Sequence, residues 1–363
     1  MGLTNSTNNK INKINLKEYK IYQTLSVNKI SRIRVVENIN QDSNIYTNYK
    51  YSVWKIMCKD NLIKNNLINN VKNEILIHSY LNNCRFITKF LGYNQTPGHV
   101  YLQIELCNKG CLFDLIRDKG CLSLLETKFY IVQIVFSLSY LKDNNIIYRD
   151  LKPENILICE DGYLKLTDFG ISKMTKGNTK LYSVCGTTRY LAPEVINLYL
   201  IKKKLVYDEI NNSIIDILTT NKNKKIKNGY NYSVDLWSLG VLIYECLVGI
   251  DPFVDSNELN IARNIIKGSI NIPNGMDTKA VDLIKKLLCK NPADRLGYGK
   301  ILNILDHEFF NDINTKEIYN KTFKGVSVNN DSIMPGNKSY LSEIERVPKI
   351  YNKNEDPFLK WDF

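Results

Sequence analysis

Residues 148–155 read Tyr148-Arg149-Asp150-Leu151-Lys152-Pro153-Glu154-Asn155; Asp168-Phe169-Gly170 follows, and then Ala192-Pro193-Glu194. Each run alone is a short cluster of loop-forming residues, but in this order they are hard to read as independent accidents. The chain around them has 363 residues, 44% of them hydrophobic, enough for one two-lobed domain or two small ones. Nine cysteines, at positions 58, 84, 107, 111, 121, 159, 185, 246 and 289, show neither paired metal-ligand spacing nor a secreted framework. Free thiols in a reducing compartment are therefore expected. No apolar run reaches the roughly 18 residues that span a bilayer, and the Asn/Lys-rich start lacks the apolar centre of a signal peptide. These features predict a cytoplasmic chain. The formal charge is +12, yet the lysines are spread along the chain among Asn and Ile. No DNA- or RNA-binding motif accompanies them, so no nucleic-acid partner is expected.

The ordered triple resembles the signature of protein kinases. From about Tyr19 to Phe363 the chain resembles an AGC-family serine/threonine kinase, and the cAMP- and cGMP-dependent kinases are the most similar. Tyr148 stands where most kinases carry His, Cys185-Gly186-Thr187 precedes the Ala-Pro-Glu, and Asn291-Pro292-Ala293-Asp294-Arg295-Leu296-Gly297 resembles that branch's late signature. Lys152, two residues after Asp150, marks a Ser/Thr rather than a Tyr kinase. The resemblance implies a two-lobed α+β fold: a disordered leader over 1–18, a β-rich N-lobe over 19–105, a mostly helical C-lobe over 106–310 and a tail over 311–363. It also implies ATP and Mg²⁺ as cofactors and protein Ser/Thr hydroxyls as acceptors.

Phosphoryl transfer leaves a protein little covalent work, so catalysis rests on placing a hydroxyl, metal ions and a triphosphate in line. By the resemblance, Asp150 accepts the hydroxyl proton, Lys152 steadies the transferring phosphate, Asn155 and Asp168 hold Mg²⁺, and Thr187 joins this catalytic group. Tyr51-Ser52-Val53-Trp54-Lys55-Ile56 alternates as a strand should and resembles the third N-lobe strand, which makes Lys55 the phosphate lysine. Glu74, amid apolar residues at helical spacing, is its expected partner. Ile33 and Val53 would pack on adenine, Glu105 and Cys107 would present backbone groups to it after the gatekeeper Ile104, and Leu157 would floor the pocket. His78, one turn after Glu74, is expected to be a satisfied core histidine.

One departure stands out in the strand and loop that should cover the phosphates. After Tyr19-Lys20-Ile21-Tyr22-Gln23-Thr24-Leu25, the three glycine positions hold Ser26, Asn28 and Ser31. Glycine there lets backbone approach phosphate and takes positive φ without strain. Ser and Asn are small, and Asn tolerates left-handed dihedrals, so a raised KM for ATP is expected rather than lost chemistry.

Regulation is also legible by resemblance. Ser183 falls at the activating phosphosite, where a phosphate would pair with Arg149. Glu154 and Glu245 survive from the acidic set that reads substrate arginines, whereas Cys111 and Thr188-Arg189 depart from it, which predicts a weakened basic preference. The stretch at about 198–226 is expected to be a surface insertion with one short helix. Phe358-Leu359-Lys360-Trp361-Asp362-Phe363 resembles the AGC hydrophobic motif. Its Phe358, Trp361 and Phe363 would fold back beside the Glu74 helix, Asp362 would substitute for a phosphoserine, and Tyr340 would add a ring contact to adenosine. Met1-Gly2-Leu3-Thr4-Asn5-Ser6 fits N-myristoylation at Gly2, a source of weak peripheral membrane contact aided by Lys10, Lys13, Lys17 and Lys20. No cyclic-nucleotide-binding domain is found in this sequence, so such control would need a separate regulatory subunit. The rival reading, motivated by the missing glycines, is a pseudokinase scaffold that binds partners without phosphoryl transfer.

Overall fold

The computed structural model describes residues 11–39, 49–177, 179–202, 229–268, 270–326, 356–359 and 361. Two compact units divide at Asn108/Lys109, and the last segment of the chain belongs with the first unit. The first carries a five-stranded antiparallel sheet and the second is mostly helical, the α+β kinase fold expected from the sequence.

In the first unit, β1 (Tyr19–Val27), β2 (Ser31–Asn38), β3 (Tyr51–Cys58), β4 (Phe90–Gln95) and β5 (His99–Glu105) pair in the order β1-β2-β3-β5-β4. Alternation along β3 gives each face of the sheet its own core. Val53 joins Val35 and Ile104, while Trp54 joins Val36 and Ile14 on the other side. The helices α1 (Lys59–Lys64) and α2 (Ile68–Tyr80) follow β3. Val71, Glu74, Ile75 and His78 are buried at the 3–4-residue spacing of one helix face.

Residues 11–18 correct the expected disordered leader. Ile14 N–H donates to Tyr93 O at 2.9 Å and Tyr93 N–H donates to Asn12 O at 3.0 Å, so this segment runs along β4. The physical reason is the indole of Trp54, which would face water without Ile14, Leu16 and Tyr19 over it. Gly92 permits the approach, because a Cβ there would lie 2.7 Å from Ile14 Cγ2 and 2.8 Å from Asn12 O.

The helical unit contains α3 (Leu112–Lys119), α4 (Leu124–Asp143), the short strands β6 (Ile146–Ile147), β7 (Ile156–Ile158), β8 (Leu164–Leu166) and β9 (Lys173–Met174), α5 (Pro193–Lys202), α6 (Ser233–Val248), α7 (Glu258–Lys267), α8 (Thr278–Leu287) and α9 (Thr315–Asn320). Ser123 and Glu126 form a reciprocal capping box at the start of α4. Among the described residues α4 alone is long and apolar enough to cross a membrane, but it is a buried core helix. Two expected boundaries move. Positions 198–202 of the expected insertion continue α5, and residues 311–326 of the expected tail, with α9, belong to the helical unit. Residues 203–226 of the insertion, together with Gly2, Tyr340, Asp362 and Phe363, lie outside the described residues.

Arg295 ties this unit together. Its buried guanidinium donates to both Glu194 oxygens at 2.7 and 2.8 Å and to Ser233 O at 2.9 Å, and it lies over the Trp237 ring. Replacing Arg295 by Met strands Glu194 without its counter-charge, and a loss of about 3–5 kcal/mol is expected in a denaturant titration.

Candidate active site

Two pairs of short strands bring the candidate catalytic residues together. β7 pairs with β8, and beyond its open end Thr167 N–H donates to Asn155 O at 3.0 Å, which sets Asp168 beside Asn155 in the chain path. β6 pairs with β9, and residues 148–155 form the loop that links β6 to β7.

Asp150 is the centre of the polar group. Lys152 Nζ donates to Asp150 Oδ2 at 2.8 Å and to Thr187 Oγ1 at 3.1 Å, and Asn155 Nδ2 donates to Asp150 Oδ2 at 2.7 Å. Thr187 Oγ1 donates to the other oxygen, Oδ1, at 3.4 Å. The carboxylate is thus surrounded by two neutral donors and one ammonium. Since Asn155 uses Nδ2 on Asp150, its Oδ1 is the atom able to ligate a cation.

The loop is held from below by a residue that the sequence reading had not singled out for a role. Asp235, buried on α6, accepts Tyr148 N–H at 2.9 Å and Arg149 N–H at 2.8 Å. Burial pushes its carboxyl up to about 6 in spite of these donors. Arg149 and Asp168 both adopt positive φ, at 70° and 56°, conformations costing about 1–3 kcal/mol each for residues other than Gly. The signal in the sequence was an acid at the start of the apolar run of α6. Tyr148 donates its hydroxyl to Thr167 O, and its ring meets the fully buried Phe169 edge-on at 5.4 Å.

The Arg149 side chain turns to the segment that carries Ser183. Its Nε donates to Ile171 O at 2.7 Å, and its Nη1 donates to Ser183 Oγ at 2.7 Å and Tyr230 Oη at 3.0 Å. Tyr230 donates to Ser183 O at 2.7 Å, and Leu181 and Tyr230 form a two-residue β-bridge. Gly186, at φ +108°, lets the chain pass Arg149, because a Cβ would stand 2.8 Å from Arg149 O. Tyr230 was also missed, since its partners are far apart in sequence.

A second acidic group surrounds Glu245. Tyr190 donates its hydroxyl to it, and Arg189 Nη1 donates to the buried Asp251 at 3.1 Å. Burial, with the fields of Asp251 and Glu154, pushes Glu245 up to about 7. Glu154 itself is exposed. Cys111, at an expected acidic position, lies 3.1 Å from Asp114 with its thiol pushed up to about 12, chiefly by burial.

In the β-rich unit, Lys55 Nζ lies 2.7 Å from Glu74 Oε1, and Glu74 is almost fully buried. Ile33, Val53 and Ile104 share one apolar cluster with Leu25 and Leu106. Glu105 ends β5 and Cys107 is buried beyond it. His78 is indeed a core residue, with Nε2 2.6 Å from Thr88 O. In the helical unit, Leu157 is half-buried on β7 and bridged to Cys111. The glycine-free turn closes on Asn28, whose Oδ1 accepts Ile30 N–H at 2.8 Å and Ser31 N–H at 2.7 Å. Neither Ser26, Asn28 nor Ser31 takes positive φ, so the side-chain cap does what a left-handed residue was expected to do. Phe358 and Trp361 are buried with Val71 and Ile75 of α2.

Residues 42–210 and 219–310 match the protein kinase domain. The chain is 34% identical over 265 residues to the serine/threonine-protein kinase gad8 of Schizosaccharomyces pombe, covering 73% of this chain and 41% of that protein. It is 35% identical over 279 residues to the cAMP-dependent protein kinase catalytic subunit 3 of Drosophila melanogaster, covering 76% and 42%. To the cAMP-dependent protein kinase catalytic subunit PRKX of Mus musculus it is 31% identical over 318 residues, covering 86% and 81%. The chain belongs to the protein kinase family. Within that family its relatives place it among the AGC serine/threonine kinases, although it spans less than half the length of the first two.

Tyr230→Phe removes the hydroxyl that joins Arg149 to Ser183. We expect a stability loss of about 1–3 kcal/mol by chemical denaturation and faster proteolysis at residues 175–185.

Proposed function

We propose that this chain transfers the γ-phosphate of ATP to Ser or Thr hydroxyls of protein substrates. The observation that carries this is the Asp150 group, in which an ammonium, an amide and a hydroxyl converge on one carboxylate. Asp150 would receive the acceptor's proton, and Lys152, within reach of both Asp150 and Thr187, would meet the charge that develops on the transferring phosphate. Lys55, held by Glu74, would contact the nucleotide's α- and β-phosphates, with adenine against Ile33 and Val53 and bonded by backbone groups of Glu105 and Cys107.

Asn155 and Asp168 suit Mg²⁺. Among the described residues no three His, Cys, Asp or Glu side chains gather as a metal cage. Mg²⁺ commonly needs only one or two protein oxygens, completing its octahedron with water and nucleotide phosphates. The ion when bound would neutralise phosphate charge; Asp150 and Lys152 would still do the proton and positioning work.

Phosphorylation of Ser183 would strengthen an existing contact. Through its side chain Arg149 bonds a carbonyl and two hydroxyls, and a phosphate would add a charged, bidentate partner. The cyclic-nucleotide-kinase likeness extends the proposal to a separate regulatory subunit and to membrane contact through acylated Gly2. Asp362, if it meets the same pocket edge as a phosphoserine would, supplies one charge in place of nearly two.

The decisive test is Mg-ATP-dependent phosphorylation of a Ser/Thr peptide library beside Asp150→Asn. Turnover that falls by at least about 10³-fold in the variant is expected, with nucleotide still raising the melting temperature of both proteins. Absence of turnover in Ser183-phosphorylated protein, with no nucleotide-dependent shift, would favour the scaffold reading that the glycine-free turn motivates.

Glu245 gives a pH signature. It is largely neutral at pH 6 and ionised at pH 8, so its attraction for a substrate arginine grows as pH rises through about 7. KM for an arginine-containing peptide should fall over that interval, while Glu245→Gln should flatten the profile.

A further inference from the structure

The turn that follows Thr187 carries a positive charge on its outer side. Thr187 Oγ1 lies 3.4 Å from Asp150 Oδ1 and 3.1 Å from Lys152 Nζ, so this end of the turn borders the place where an acceptor hydroxyl must come. Residues 188–190 then make a single 3₁₀ turn, closed by Tyr190 N–H on Thr187 O at 2.9 Å and Leu191 N–H on Thr188 O at 3.2 Å. Side chains one position apart in such a turn diverge by about 120°. Tyr190 takes the inner direction: it is buried, gives its hydroxyl to Glu245, and through its carbonyl accepts Ser238 Oγ from α6 at 2.9 Å. Arg189 takes the outer one, and its side chain is 48% exposed.

Arg189 Nη1 donates to Asp251 Oδ2 at 3.1 Å, the only hydrogen bond of its side chain among the described residues. Asp251 is buried, and its other oxygen accepts Phe253 N–H at 3.0 Å. Phe253 is in turn stacked on Trp237 of α6, with ring centroids 5.7 Å apart. Bonded at both oxygens and fixed by that stack, Asp251 serves to anchor the guanidinium rather than to read a substrate. A guanidinium carries five N–H donors in a planar fork. With one nitrogen on Asp251, Nε and Nη2 of Arg189 keep theirs.

We propose that Arg189 is a specificity-determining residue that binds an anionic side chain, a carboxylate or a phosphate, on the protein substrate close to its acceptor Ser or Thr. Arg189 stands two residues from Thr187, at most about 7 Å along the chain. An extended substrate advances about 3.3 Å per residue, so positions within about two or three of a hydroxyl held at Asp150 come within reach of the guanidinium. Carboxylate and phosphate both match its planar fork, and the bond they form is charge-assisted. The arginine contact proposed for Glu245 is separate, so the preferred peptide carries both signs of charge. The inference deepens the kinase reading above and rests on it for its activity readout; its binding readout does not.

The test uses seryl peptides in which one Glu, or one phosphoserine, is moved through the positions flanking the acceptor, each compared with its Gln twin. At the preferred position Glu should raise kcat/KM over Gln by roughly five- to tenfold, chiefly through KM, and phosphoserine should raise it further. Whichever anion gives the larger ratio identifies the source. Arg189→Gln should bring the ratio to about one, but it leaves the buried Asp251 without its counter-charge. The double variant Arg189→Gln with Asp251→Asn guards against a folding defect, since it keeps the net charge and an amide oxygen for Phe253 N–H. Its ratio should also be about one. The same peptides with Ala in place of the acceptor serine, followed by fluorescence anisotropy, make the comparison without chemistry. If the parent shows no turnover, tighter binding of the anionic peptides that is lost in the double variant still supports the site, and only the kinase reading fails. A parent that prefers the anion in neither assay, or a folded double variant that keeps the parent's preference, would overturn the proposal.

Discussion

Asp235 is the constraint on which the loop over residues 148–155 depends. A carboxylate buried in an apolar helix is costly, and here it is kept by two backbone N–H groups, those of Tyr148 and Arg149. Those bonds oppose the strain of a positive φ at Arg149. The backbone reversal sends the Arg149 side chain toward Ser183 while Asp150, the next residue, meets Lys152, Asn155 and Thr187. Without Asp235 the N–H groups of Tyr148 and Arg149 would lose their acceptor at the point of strain.

From that anchor, order spreads by short polar links. Tyr230 and Arg149 converge on Ser183, so an unmodified hydroxyl already gathers the donors that a phosphate would engage more strongly. Glu194 and Arg295 do similar work at the next turn of the chain, where a fork of guanidinium donors matches a carboxylate and also takes Ser233 O. Around Glu245 the charges remain less balanced. Three acids and one arginine share that patch, and Glu245 is raised first by its burial and then by the fields of Asp251 and Glu154.

The β-rich unit reaches order by a different route, through both ends of the chain. Residues 11–18 cover Trp54 and run along β4, while Phe358 and Trp361 share a cluster with residues of β3, α1, α2, β4 and β5. Ile11 packs against that same cluster. The turn between β1 and β2 shows how a glycine can be dispensed with: Asn28 folds its amide oxygen over two backbone N–H groups and needs no positive φ. That cap tightens the turn, but it leaves side-chain atoms where glycine would leave none.

The sequence by itself determined the class of fold and nominated Asp150, Lys152, Asn155 and Asp168 as candidates, because they are close in the chain and their spacing survives as written. Alternation in β3 and apolar spacing in α2 were enough to nominate Lys55 and Glu74 for the same reason: local periodicity is set by local geometry. Tertiary structure alone decided what lies far apart. Asp235 beneath residues 148–149, Tyr230 on Ser183, Arg295 on Glu194 and Lys59 on Asp356 each join residues separated by dozens to hundreds of positions. A charged residue in an apolar stretch announces that it must find a partner. Which partner it finds depends on how the chain packs, and no spacing rule carries that information. The order of residues 11–18 was hidden similarly, since a short Asn/Lys-rich segment reads as leader until the exposed face of Trp54 gives its few isoleucines and leucine something to cover.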